Sequence, residues 1–200
     1  MDQPGVTVAP IHQMTGTAEF NEVFFDDART DKANVVGEVN DGWKVAMATL
    51  GFERGTAFLG QQLGFQRELN ELIGVAHKNG ASEEDSIRQR LAQAYIGVEI
   101  MKYNGLRMLT GLARKGVLGP EASIGKLFWS TWHRNLGELA MDVLGPSAGV
   151  IEGEPGKDYE LNELQRNFMF SRSETIYAGA SEIQRNIIGE RVLGLPREPR

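Results

Sequence analysis

The spacing of apolar residues changes near residue 40 of this 200-residue chain. Ahead of that point Val6, Val8, Phe20, Val23, Phe24 and Phe25 sit among Gly, Pro, Asn and Asp, the pattern of short strands broken by turns. Two or three such strands cannot close a sheet or bury a face. Residues 1–40 therefore read as the end of a larger β structure.

From Asp41 the pattern turns helical. Val45, Ala48, Phe52, Leu59, Leu63, Leu69, Ile73 and Ala76 step by three, four or seven residues, as one face of a long helix requires. Asn40 or Asp41 can cap its start, and Asn79-Gly80 stops it. A second helix is predicted from Ser82, with Asp85 completing a weak capping box. Its stripe is Ile87, Leu91, Tyr95, Val98, Met101 or Lys102, and Leu109, ending near Lys115-Gly116. Gly119-Pro120 opens a third, with proline in the first turn, where its missing N–H costs nothing. It runs through Ile124, Leu127, Phe128, Leu136, Leu139 and Val143 to Gly145-Pro146. A glycine-rich loop (145–156) leads to a fourth helix near Leu161–Arg172. After the turn at Tyr177-Ala178-Gly179-Ala180, a last helix starts at Ser181, boxed with Gln184, and ends at Gly194. The expected fold class is mainly α: an up-and-down helical bundle over 41–200, preceded by a few β-strands in 1–40.

Composition narrows the function. A hydrophobic share of 41% supports a substantial core, while the mean hydropathy of −0.30 keeps the chain soluble. A net charge of −6 argues against a nucleic-acid partner, which needs a basic face. With no cysteine there is no disulfide framework, no thiolate ligand and no Cys nucleophile. No apolar run reaches the roughly 20 residues of a membrane span, and MDQPGVTVAPIHQ lacks the features of a signal peptide, so a cytoplasmic location is expected. His12, His77 and His133 are scattered without metal-ligand spacing, so no metal is expected and surface or core roles suit them. Trp129 and Trp132, with Phe128, suit core or interface packing.

Two places could carry chemistry. Glu53 lies within the first helix with Thr49, Thr56, Ala57 and Gly60 as small neighbours at helical spacing. That leaves room for a thin ligand, beside which desolvation would raise a carboxylate pKa toward that of a general base. The same pattern also fits a solvated glutamate paired with Arg54. The second place is Ser173–Arg185, where a glycine turn opens a helix and presents free N–H groups at its positive end. Any loop-to-helix junction shares that property.

The chain resembles the C-terminal part of the acyl-CoA dehydrogenase family. The resemblance rests on GWKVAMATLGFERG (42–55) and SRSETIYAGASEIQRNIIGERVLGLP (171–196), with MTGTAEFNEVFFDDAR (14–29) similar to the last strands of that family's middle β domain. It implies residues 1–40 as the end of a middle β domain and 41–200 as an FAD-binding bundle. It implies FAD-dependent α,β-dehydrogenation of an acyl-CoA thioester: a Glu takes the α-proton while hydride leaves the β-carbon. In the commoner form that Glu precedes the glycine corresponding to Gly179, where this chain has Ala178. In the form represented by isovaleryl-CoA dehydrogenase it sits in the long helix before an Arg, as Glu53-Arg54 does here. The resemblance thus implies Glu53 as the base and Arg54, Tyr177, Ala178 and Gly179 at the substrate. The Ala178 N–H would be on the thioester carbonyl, with Ala180, Ser181 and Glu182 beside FAD. It also implies an electron-transfer flavoprotein or similar acceptor and oligomerisation through the bundle, in fatty acid or steroid side-chain catabolism. Departures are visible: AHKNGASEEDSIRQR lacks an Arg-x-x-Phe-Gly motif, Asp142 replaces a Gln, and Ala180 replaces a Thr. Similar departures occur in heteromeric actinobacterial members, so the alternative is a non-catalytic partner subunit or assembly module.

Overall fold

In the computed structural model a β-hairpin precedes a helical bundle. The structure describes residues 2–56, 58–116, 122–151 and 159–197, with the side chains of 51–59, 115, 122 and 123 outside that description. Strands β1 (Val6–Ile11) and β2 (Phe20–Phe25) pair antiparallel, Val6 opposite Phe25 and Ile11 opposite Phe20. Neither face is covered: Phe20, Phe24 and Phe25 are all exposed. Glu19, near the start of β2, ties the hairpin to the bundle through an ion pair with Arg166 at 3.0 Å, and the Tyr159 hydroxyl donates to the Met14 carbonyl at 2.7 Å.

The bundle comprises α1 (Gly42–Thr56), α2 (Phe58–Asn79), α3 (Asp85–Lys115), α4 (Ala122–Leu144), α5 (Glu163–Phe170) and α6 (Ser181–Ile187), the last extended by a π-helical turn Ile188–Val192. Its core is formed by Phe65, Leu69, Leu72 and Ala76 of α2, Ile87, Leu91, Val98 and Met101 of α3, and Trp129, Trp132, Leu136, Leu139, Ala140 and Val143 of α4. Burying each such large side chain contributes about 1.5–3 kcal/mol, so α2, α3 and α4 hold the fold. The mainly α expectation is met.

The predicted stripes need correction in detail. Leu63, Tyr95, Leu109 and Ile124 are exposed, whereas Phe65, Leu72 and Met108 are buried. The buried face of α2 repeats at 65, 69, 72 and 76: it keeps Leu69 and Ala76 of the predicted stripe, adds Phe65 and Leu72, and leaves Leu63 outside. Met101 rather than Lys102 enters the core of α3. Trp129 and Trp132 take the core role, one of the two that the sequence offers.

Helix ends follow local chemistry. Asn79-Gly80 does stop α2: Gly80 is left-handed at φ 82°, the Asn79 amide oxygen accepts from the Ala81 N–H at 3.0 Å, and its nitrogen donates to the Val143 carbonyl at 2.8 Å. The predicted start of α3 at Ser82 is not observed. Residues Ala81–Glu83 form a 3-10 turn, and buried Ser82 pairs with His77 Nδ1 at 3.1 Å, which removes its hydroxyl from capping. Gly116, at φ 70°, ends α3 as anticipated. The predicted start of the next helix at Gly119-Pro120 lies outside the described residues. Asn162 and Gln165 form a full capping box on α5. The box predicted for Ser181 and Gln184 does not form, because Ala180 is the N-cap and Gln184 is buried and committed elsewhere.

Candidate active site

Glu53 and Arg54 fall in α1, within the span predicted to be helical, but their side chains lie outside the described residues. The other six predicted site residues, Tyr177 to Glu182, run consecutively from just after a 3-10 turn (Ser173–Thr175) into α6. The Tyr177 N–H donates to the Ser173 carbonyl at 2.9 Å. The Tyr177 ring is half-buried against Phe170, and its hydroxyl approaches Glu174 at 3.5 Å. Burial, followed by the Glu174 charge, pushes that phenol above its ordinary range.

The chain then turns on two left-handed residues, Ala178 (φ 53°) and Gly179 (φ 92°). The glycine is required: a Cβ there would stand 2.6 Å from Gln184 Nε2, which itself donates to the Ala178 carbonyl at 3.1 Å. The alanine is strained, since an L-residue in this region costs roughly 1 kcal/mol. Among the described residues no protein group accepts from the Ala178 or Gly179 N–H. Ala180 caps α6 with no side-chain bond, leaving first-turn N–H groups as free donors. Glu182 points to solvent and pairs with Arg185 at 3.4 Å.

Beneath this turn lies a group whose role the sequence does not announce. His133 of α4 is buried between two carboxylates, with Nδ1 2.5 Å from Glu174 and Nε2 2.7 Å from Glu68 of α2. Ionised carboxylates only accept, so both ring nitrogens carry protons and the ring is an imidazolium. Burial alone would lower the pKa. The hydrogen bonds that the ring donates to Glu174 and Glu68, and then the charges of those carboxylates, outweigh it and raise the pKa from 6.5 to about 9. Lys126 donates to the Glu174 carbonyl at 2.8 Å. Burial lowers the Lys126 pKa, against the opposing charges of Glu174 and Glu182. The three partners lie 65 and 41 positions apart in sequence, so periodicity could indicate only that His133 is inward-facing.

Other features bear on the cofactor. Asp142 is spent on an ion pair with Arg90 at 2.5 Å, joining α3 to α4. The glycine turn Gly145–Gly149 is a 3-10 turn whose end is held by Gln165, donating to the Ala148 and Val150 carbonyls at 3.0 and 2.7 Å. Among the described residues no cluster of His, Asp or Glu suits a metal ion.

Residues 40–193 match the family model described as "Acyl-CoA dehydrogenase, C-terminal domain". The chain belongs to the acyl-CoA dehydrogenase family. It is 53% identical to acyl-CoA dehydrogenase IpdE1 of Mycobacterium tuberculosis over 99% of its own length and 50% of that protein. It spans about half the length of the curated relatives it matches. Among solved structures it superposes on the ChsE4-ChsE5 complex of M. tuberculosis with a TM-score of 0.73 and 26% identity, covering 98% of this chain and 50% of that one. The Tcur3481-Tcur3483 steroid acyl-CoA dehydrogenase shares the fold, with a TM-score of 0.83 at 22% identity, over 98% and 50% of the two chains. No helix among the described residues is long and apolar enough to cross a membrane.

Proposed function

We propose that the chain is the C-terminal portion of an FAD-dependent acyl-CoA dehydrogenase, with residues 1–40 the end of its middle β domain and 41–200 its flavin-binding bundle. Glu53 removes the α-proton of the thioester. The Ala178 N–H donates to the thioester carbonyl oxygen and stabilises the negative charge that grows there as the proton leaves. Arg54 borders the same site, Tyr177 and Gly179 flank the acyl group, and Ala180, Ser181 and Glu182 lie beside the cofactor. FAD, when bound, supplies the hydride acceptor. The uncapped first turn of α6 fits a polar cofactor edge, since its N–H donors have no side-chain partner. An electron-transfer flavoprotein or a similar carrier would reoxidise the flavin, in an oligomeric cytoplasmic enzyme of fatty acid or steroid side-chain catabolism.

The observation that carries this reading is the turn itself. Ala178 presents a methyl group where a base would otherwise stand, yet holds an unpartnered N–H in a fixed left-handed conformation. A site built that way needs its carboxylate from elsewhere, and Glu53-Arg54 matches in sequence the helix position of the isovaleryl-CoA dehydrogenase form. The test is Glu53→Gln in the complete protein with FAD. Acyl-CoA should still bind while flavin reduction slows by about a hundredfold or more. Reduction at the wild-type rate would overturn the assignment.

A second reading is favoured by Asp142. Its carboxylate pairs with Arg90 instead of being free for a cofactor, and solved relatives include the two-component ChsE4-ChsE5 complex. In that reading the chain is part of a non-catalytic partner subunit. A flavin absorbance spectrum of the purified complete protein, alone and with any co-purifying subunit, separates the two.

A further inference from the structure

The segment carrying Ala178 and Gly179 is fixed at three points. Glu174 Oε2 meets His133, the Glu174 carbonyl accepts from Lys126, and the Ala178 carbonyl accepts from Gln184. Two of these anchors are ordinary side-chain-to-carbonyl bonds. The third is a buried carboxylate–imidazolium–carboxylate group reaching across to α2 through Glu68. A hydrophobic trio could have filled the same space. Charged groups were used instead, and removing one partner from such a group leaves an uncompensated buried charge. The left-handed conformation of Ala178 is strained and persists only if its surroundings hold it.

We propose that His133, as an imidazolium clamped between Glu68 and Glu174, is the positioning residue that sets the Ala178–Gly179 turn for thioester binding, so that loss of its proton releases the turn. The proposal rests on the dehydrogenase reading for the word thioester, and on the geometry of the turn for the rest. His133 does not touch the reacting atoms; it acts through Glu174. The charged and titratable groups around it are Glu68 from α2, Glu174 with Tyr177 behind it from the turn, Lys126 from its own helix, and Glu182 of α6 through its effect on Lys126. Once the ring is neutral, one nitrogen becomes an acceptor facing a carboxylate oxygen. The two repel, and Glu174 is the partner on the shorter, more easily displaced element.

Two measurements on the complete protein test this. Isotope labelling of the histidine rings, together with the Gly179 amide, follows His133 protonation and the turn in the same titration. The ring should be doubly protonated at neutral pH, and the Gly179 signal should shift with the ring's own alkaline midpoint. In steady-state assays with octanoyl-CoA, KM should rise about tenfold or more across that midpoint, with a smaller change in kcat. His133→Gln should abolish the alkaline step in KM. Glu174→Gln, which keeps the shape of the cluster, should move the step to lower pH by removing one of the carboxylates that hold the proton. A neutral ring at neutral pH, a Gly179 signal indifferent to it, or an alkaline KM step unchanged in both variants would overturn the proposal. Failure to oxidise any acyl-CoA would count against the dehydrogenase reading, and the labelled spectra would still decide the role of His133.

Discussion

The indole of Trp132 lies so close to Gly97 that a Cβ added to the glycine would stand 2.4 Å from its Cδ1 atom. The ring cannot retreat freely, because its Nε1 donates to the Ala94 carbonyl at 2.9 Å. Gly97 is therefore what lets α3 and α4 approach. Gly97→Ala should destabilise the fold by about 1–3 kcal/mol, the range for overpacking a well-filled core, even though alanine is the better helix former. Chemical denaturation of the complete protein would read this, and a stabilised variant would contradict it.

The buried His133 makes stability depend on pH in a definite direction. Its folded pKa, about 9, lies above the ordinary value of 6.5. The stability it contributes is thus complete below about pH 6.5 and is lost as pH rises through about 9. A shift of that size corresponds to something on the order of 3 kcal/mol. Urea midpoints should fall over this window in the wild type and fall less in Glu174→Gln. Parallel curves would show that the proton is not held as the geometry indicates.

Ala178 offers a test in the opposite direction. Its left-handed backbone favours glycine, so Ala178→Gly should raise stability by up to about 1 kcal/mol. Under the proposed function, Ala178→Glu placed in a Glu53→Gln background should recover part of the lost flavin reduction, since the turn would then carry a carboxylate. Stopped-flow reduction measures that recovery, and its absence would argue that the turn does not face the α-carbon.

Association is expected to use α3 and the start of α4. Ile96, Ile100, Tyr103, Leu106 and Ile124 are all exposed, more apolar surface on one side than a single bundle needs. The tryptophans at 129 and 132, which the sequence offered as core or interface residues, are buried within the bundle. Ile100→Glu should lower the mass seen by light scattering, by at least one halving if that face joins copies or subunits. An unchanged mass would place the contact elsewhere.

The fold was largely legible because helical periodicity is local. Asn79-Gly80, Gly116 and Gly145 marked helix ends through their left-handed backbone preference alone. Leu63 and Leu69 show the limit: both fit a stripe by spacing, yet only Leu69 is buried, because the neighbouring helices decide which side of α2 is covered. Caps failed for a related reason. Ser82 and Gln184 have the right chemistry, but His77 and the Ala178 carbonyl claimed them first. Asn162 and Gln165 do form a box, because the Gln165 amide nitrogen takes the tertiary contacts and leaves its oxygen for the Asn162 N–H. Within the site, the Tyr177–Glu182 run was legible as a motif. The Glu68–His133–Glu174 group was not, since its members come from three elements that meet only in the folded chain.

That separation also makes the site depend on two closures that the core does not need. Glu68 and His133 can pair once α2 and α4 have docked, but at that stage the ring meets one carboxylate and water. Glu174 lies another 41 positions along the chain, and only its arrival closes the pair of bonds and excludes solvent. Both closures are long-range, spanning 65 and 41 positions, and each spends loop entropy before its contact stabilises anything. A chain with α2, α3 and α4 docked but Glu174 displaced would have a formed core without a formed site.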